Sequence, residues 1–290
     1  MVKAPPPSPA LSGLGARLRA IREDAGLSGI ELADVLGAGW RQSKVSKIET
    51  GRQLPSIPEV TAWAEATGVD AAPLLALRAK AGVGYTAWKD RIAGAGGPMG
   101  AQDELTALQA SCAFLAEYQP ALIPGRLQTP TYMREMTQGD DVLVADGISP
   151  EQLGHVIAAK VRRQSIMYEP GREIVHVIGE AALRTRIRQV SVATLVGQIS
   201  HLIEMAALPG HTFAVMPYTA PSPFPPVSGW AMFDRDLVRL ETLTGGIQIT
   251  DPAMVARYSR WLEQLLAVAL TGADAVEFCR GVATSLGAEG

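Results

Sequence analysis

The chain has 290 residues, 47% of them hydrophobic and 19% charged, with a formal net charge of -3. At about 100–200 residues per domain it has room for two domains, with enough apolar residues to bury real cores. No apolar run approaches the ~18 residues of a membrane span. The start, MVKAPPPSPALSG, lacks the apolar stretch of a secretory signal, and two distant cysteines, Cys112 and Cys279, make no disulfide framework. The expected location is therefore cytoplasmic.

The charge is uneven. Residues 1–80 hold 10 Lys+Arg against 8 Asp+Glu, whereas residues 81–290 hold 16 against 21. Phosphate binding depends on where charge lies rather than on its total. A small positive balance near the start is compatible with nucleic acid, at modest and salt-dependent affinity.

Residues 1–11 are proline-rich and are expected to form a disordered tail. Leu14, Leu18 and Ile21 then recur at helical spacing between Arg17, Arg19 and Arg22. Gly26 is a stop signal. Ser28 followed by Glu31 has the capping-box spacing, with Leu32, Val35 and Leu36 as the expected buried face of a second helix. Gly37 ends that helix. A third starts near Trp40 to Gln42 and ends at Gly51, with Val45 and Ile48 facing inward and Gln42, Ser43, Lys44, Ser46 and Lys47 outward. Gln can bond adenine through two groups, Ser can donate or accept, and Lys reaches guanine or phosphate. Pro55 and Pro58 punctuate a loop. A fourth helix carries Val60, Trp63, Ala64 and Val69, and a fifth carries Leu74, Leu75 and Leu77. A two-helix unit with one inward face and one small, polar, basic face suits a module that reads double-stranded DNA.

Residues 12–77 resemble the Cro/repressor-type helix-turn-helix domains of the xenobiotic-response-element family. LGARLRAIREDAGLS, ELADVLG, QSKVSKIETG and PEVTAWAEATGVD carry the resemblance. It implies base reading by Gln42, Ser43 and Lys47, with Ser46 a further candidate; Lys44 is expected to contact DNA from its outward position. Ser28, Gly29 and Arg52 complete the expected DNA-contacting set. Arg22 and Glu49 are implied to form a structural ion pair. The chain departs from the family pattern at Gly29, where the family often has Gln, and in the turn AGWRQ, which is about two residues longer.

Residues 81–104, with the glycine-rich AGAGGPMG, are expected to be a linker. A domain over 105–286 follows. Leu105 to Tyr118 has helical spacing, and YQPALIPGRLQT forms a proline-punctuated loop. Leu153 to Met167 is a helix with a basic end. Glu173 to Gly179, Thr212 to Pro217, Trp230 to Phe233, Leu237 to Thr242 and Ile247 to Thr250 are strand candidates. DRD and TGG suit hairpins. Asp251 caps a long helix through Leu270, and Ala273 begins the last. The expected fold class is multidomain: an all-α five-helix DNA-binding domain, then an α+β domain with an antiparallel sheet flanked by helices.

YQPALIPGRLQT, the RRQ of Arg162 to Gln164, GEAALR, ETLTGGIQI and DPAMVARYSRWLEQL resemble the C-terminal domain of a large actinobacterial family of antitoxin-like transcriptional regulators. The resemblance implies that this domain senses or binds a small partner protein encoded by an adjacent gene; the alternatives are an antitoxin-like interaction protein whose DNA binding is mainly autoregulatory and a small-molecule sensor with a pocket between sheet and helices. A homodimer is expected.

The four histidines show no metal-ligand spacing. His176 is expected to be a sheet residue, and Cys112 and Cys279 core residues. Neither a nucleophile elbow nor a phosphate loop is present, so no catalytic residue, cofactor or metal is expected, and the chain is not expected to be an enzyme. Lys160, Arg162, Arg163, Arg184, Arg186 and Arg188 would form an anionic-partner patch if helix and loop meet. The loop Pro217 to Gly229 is a candidate lid or partner-binding loop, or equally a packed connection. Val255, Tyr258, Leu262, Leu265 and Leu266 are candidates for a dimer face or for core.

Overall fold

The structure is a computed structural model that describes residues 9–87, 98–137, 150–242 and 245–289. It divides into two compact units, residues 1–85 with 247–255, and residues 86–246 with 256–290.

The first unit is built on five helices, α1 (Pro9–Asp24), α2 (Gly29–Leu36), α3 (Gln42–Glu49), α4 (Ile57–Thr67) and α5 (Ala71–Ala81). Its core gathers Leu14, Leu18, Leu32, Val45, Ile48, Val60 and Trp63. Two capping boxes set helix entries: Ser28 with Glu31 on α2, and Ser56 with Glu59 on α4. In each, two of the orphan N–H groups of a helix start find side-chain acceptors.

Four sequence expectations change here. α1 already includes residues 9–11 of the expected tail; residues 1–8 lie outside the described residues. Pro58 sits in the first turn of α4, where a missing N–H breaks no helical bond. Val35, expected to be buried, is 59% exposed, because it lies one position off the stripe set by Leu32 and Leu36. Val69 lies beyond α4 and is 38% exposed.

The expected linker over 81–104 contains a strand, β1 (Val83–Ala87), and the start of α6 (Pro98–Ser111); residues 88–97 lie outside the described residues. The second unit then runs β2 (Phe114–Gln119), α7 (Pro130–Met136), α8 (Pro150–Arg163), β3 (Glu173–Gly179), α9 (Glu180–Arg184), α10 (Val192–Met205), β4 (His211–Met216), β5 (Trp230–Phe233) and β6 (Leu237–Glu241). β7 (Gly245–Ile249) and α11 (Pro252–Val268) have residues in both units, and β8 (Leu270–Thr271) and α12 (Gly272–Glu289) close the chain. Residues 243 and 244 of the expected TGG hairpin lie outside the described residues.

Within the second unit the strand order is β6-β5-β2-β3-β4-β8. The sheet is mixed, not antiparallel. β2 runs parallel to β3 from Phe114↔Glu173 to Gln119↔Ile178, and β3 runs parallel to β4. β5 is antiparallel to β2, β6 to β5, and β8 to β4. The expected helix over Leu105 to Tyr118 hid the central strand: α6 stops at Ser111, and Asp234 accepts the N–H groups of Ala113 and Phe114 where β2 begins. Asp234 and Arg235 both take positive φ in the β5–β6 turn. One sheet face is packed by Leu195, Ile199 and Leu202 of α10 and by Cys279 and Val282 of α12. The other meets α11 through Trp230 against Tyr258 and Met232 against Ser259.

Candidate nucleic-acid interface

Helix α3, the expected recognition helix, is short, and its position is set by three contacts made with other helices. Its inward residues, Val45 and Ile48, are each 1% exposed within the helical core. At its end, the Glu49 carboxylate takes both arms of the Arg22 guanidinium, Nε at 2.5 Å and Nη2 at 3.0 Å. The third arm of Arg22 donates to the Leu27 carbonyl, at 2.7 Å, where α1 gives way to α2. At Gly15 a Cβ would lie 2.6 Å from the carbonyl oxygens of both Ile48 and Glu49, so α1 and the end of α3 touch backbone to backbone.

Outward, Gln42, Ser43, Ser46 and Lys47 are all exposed. Positions one, four and five residues apart share one side of a helix at 3.6 residues per turn. The start at Gln42 follows a turn opened by Gly37 and Gly39, both at positive φ. Gly29 packs beside Gln42, with an added Cβ at 3.7 Å from its Cγ, so the start of α2 lies next to the start of this exposed edge.

Other expected contacts are placed differently. Lys44 is turned toward α4: its Nζ pairs with Glu59 at 2.6 Å and lies 4.6 Å from the centre of the Trp40 ring. Trp40 in turn stands edge-on to Trp63 at 5.8 Å. The Ser28 hydroxyl accepts the Glu31 N–H, while Glu31 accepts the Ser28 N–H at 2.7 Å and is held below its ordinary pKa by that backbone bond. Arg52 is exposed just past α3, its N–H bonded to the Lys47 carbonyl at 2.8 Å. Sequence reasoning missed Arg41, an exposed cation at the N-cap of α3. It also missed Glu59 as the partner of Lys44; the Ser56-to-Glu59 spacing signals the start of α4 but not that pairing.

The second unit holds its polar residues against one another inside the fold. His176 is fully buried in β3 beside His211 of β4, at 2.8 Å. Glu117 pairs with Arg126 on the same sheet face. Burial pushes the Cys112 thiol up, and Cys279 to about 12. Among the described residues no cluster of His, Cys, Asp and Glu could hold a metal ion. Arg162 and Arg163 line a cleft of about 260 Å³ with Asp103, Gln109 and Glu169, Arg184 is paired with Glu180 at 2.6 Å, and Arg186 and Arg188 are exposed. In the loop 217–229, Phe224 packs on Tyr118 and Trp261, while Tyr218 and Val227 are exposed. Val255, Tyr258, Leu262 and Leu265 are core residues, which removes them as a free dimer face.

A helix-turn-helix domain model matches residues 13–87, and the model of a domain of unknown function, DUF5753, matches residues 102–281. The chain belongs to the DUF5753 family. The helix-turn-helix match supports a DNA-binding regulator, and no described helix of this DUF5753 protein is long and apolar enough to cross a membrane. No curated protein matches it. Among solved structures, NucT from Helicobacter pylori is similar at a TM-score of 0.35 and 8% identity, over 66% of this chain and 98% of that one. Phosphatidylserine synthase from Haemophilus influenzae Rd KW20 is similar at 0.31 and 10%, over 78% and 52%. Likeness at these levels carries no argument.

Proposed function

We propose that this DUF5753 protein is a sequence-specific transcriptional regulator that binds its operator as a homodimer and receives its signal through the DUF5753 domain. One observation carries the reading: Gln42, Ser43, Ser46 and Lys47 form an exposed polar edge on a helix whose other side is locked by Val45, Ile48 and the Arg22–Glu49 pair. A rigid helix with a free polar edge is what major-groove reading requires. Ser43 and Lys47 reach base edges, and Arg52, Arg41 and the N–H groups at the start of α2 engage phosphates. Each good base contact contributes about 1–3 kcal/mol of discrimination. The Ser43→Ala, Lys47→Ala double variant is therefore expected to lose operator binding by at least about tenfold in a gel shift with the region upstream of its own gene. Full binding by that variant sinks the readout.

The input is either a small protein from an adjacent gene, with DNA binding then mainly autoregulatory as in antitoxins, or a small molecule. Exposed Tyr218 and Val227 on the loop 217–229 favour the protein. Co-expression decides, since a partner co-purifies and a small molecule instead raises the melting temperature of the lone chain.

A further inference from the structure

The helix-turn-helix unit contains a piece from a distant part of the chain. Residues 247–255 cluster with residues 1–85 in one compact unit. The Thr250 N–H donates to the Gly82 carbonyl at 3.1 Å. The Asp251 carboxylate pairs with the Arg78 guanidinium, and the two side chains are only 14% and 7% exposed. A Cβ on Gly82 would lie 3.2 Å from Asp251 Cβ and 3.3 Å from Leu54 Cδ2, so the segment is fitted closely at the end of α5.

Arg78 continues the connection. Its Nε donates to the Pro55 carbonyl at 2.9 Å, in the short stretch between α3 and α4. Leu54 and Pro55 are both buried there. A buried guanidinium needs its charge matched and its N–H groups bonded, and Asp251 and Pro55 meet those needs from opposite sides. The matched family segments divide this pair: Arg78 lies in 13–87 and Asp251 in 102–281.

We infer that residues 247–255 are an integral part of the DNA-binding unit, in which Arg78 and Asp251 are positioning residues that hold the loop 51–56 and so the end of the recognition helix. The inference rests on the reading of α3 as the DNA-contacting helix. It assigns Asp251 a second task besides capping α11, where its Oδ1 accepts the Met254 N–H at 3.0 Å.

Asp251→Asn in the full chain separates the two tasks, because Asn caps a helix about as well as Asp but carries no charge for Arg78. Two readouts are taken. Amide hydrogen exchange without DNA follows residues 51–56, and a titration follows binding to a labelled duplex of the region upstream of the gene. Faster exchange over 51–56 together with about tenfold weaker binding is expected. Wild-type values in both sink the inference, and so does faster exchange with unchanged binding. If the variant fails to fold, Arg78→Lys, which keeps the charge but loses the Nε bond to Pro55, is read the same way. If the wild-type chain binds no upstream duplex, the regulator reading falls. The exchange arm then decides alone whether the segment holds the loop.

Discussion

The Arg22 guanidinium bonds oxygen atoms from two other parts of the unit, two on Glu49 and one on Leu27. Only a planar fork satisfies that geometry, since a lysine ammonium has neither the spread nor the second parallel bond. Polar residues in the second unit are held as strictly. His211 Nδ1 lies 2.8 Å from the Met205 carbonyl, so it carries the proton. A neutral ring then leaves Nε2 as acceptor, and His176 Nδ1 donates to it. His176 Nε2 faces the Glu117 carboxylate at 3.8 Å without a hydrogen-bond partner. Burial, with His211 and Arg126 nearby, holds His176 well below its ordinary pKa, and burial lowers His211 despite the Met205 carbonyl. In the unfolded chain both titrate near 6.5. Above that pH both states are neutral and the full stability is present. Below it the unfolded chain takes up protons that the folded chain refuses, so stability falls, by up to about 1.4 kcal/mol per pH unit for each histidine. The melting temperature is expected to drop between pH 7 and pH 5.5, and to drop less in a His176→Gln, His211→Gln double variant. Equal pH slopes for the two proteins refute this account.

At the scale of elements, α3 depends on a glycine in another helix. Gly13 and Gly15 are both in α1, yet a Cβ at Gly13 meets nothing within 4 Å whereas one at Gly15 meets two backbone carbonyls at 2.6 Å. Alanine gains roughly 0.5–1 kcal/mol over glycine in a helix, and overpacking against backbone costs about 1–3 kcal/mol. The two substitutions are thus expected to have opposite signs in chemical denaturation: Gly13→Ala neutral to stabilising, Gly15→Ala destabilising and weaker in DNA binding. Stabilisation by both contradicts the close approach. The five helices and their caps were legible because capping spacing and apolar period are local signals. β3 and β5 were equally legible from β-branched and aromatic runs. β2 was not, since FLAEYQ is buried along nearly its whole length and has no alternation, and it follows an apolar helix with only two residues between. Once β2 is lost, the parallel centre of the sheet is lost with it. In the site, the exposed polar edge of α3 was visible from helical spacing. The turn of Lys44 toward Glu59 was not, because it depends on where α4 crosses α3. Nor could sequence distance suggest that Asp251 meets Arg78.

For the whole molecule, the charge distribution constrains how DNA can be held. The net charge is -3, and the exposed cations at α3 and its ends are Arg41, Lys47 and Arg52. Lys44 contributes little to this field because Glu59 neutralises it. Each phosphate neutralised adds about -0.9 to the slope of log affinity against log salt. With Lys47 on a base edge, Arg41 and Arg52 of one copy give a slope of about -2, and two copies reading adjacent half-sites give about -4. A single short helix flanked by two cations on phosphates, on an acidic protein, is expected to bind too weakly to find an operator among genomic competitors. The homodimer reading therefore expects a slope near about -4 and two chains per duplex in sedimentation of the complex. A slope near about -2 with one chain per duplex would falsify the homodimer, and would require the second unit to supply the missing phosphate contacts.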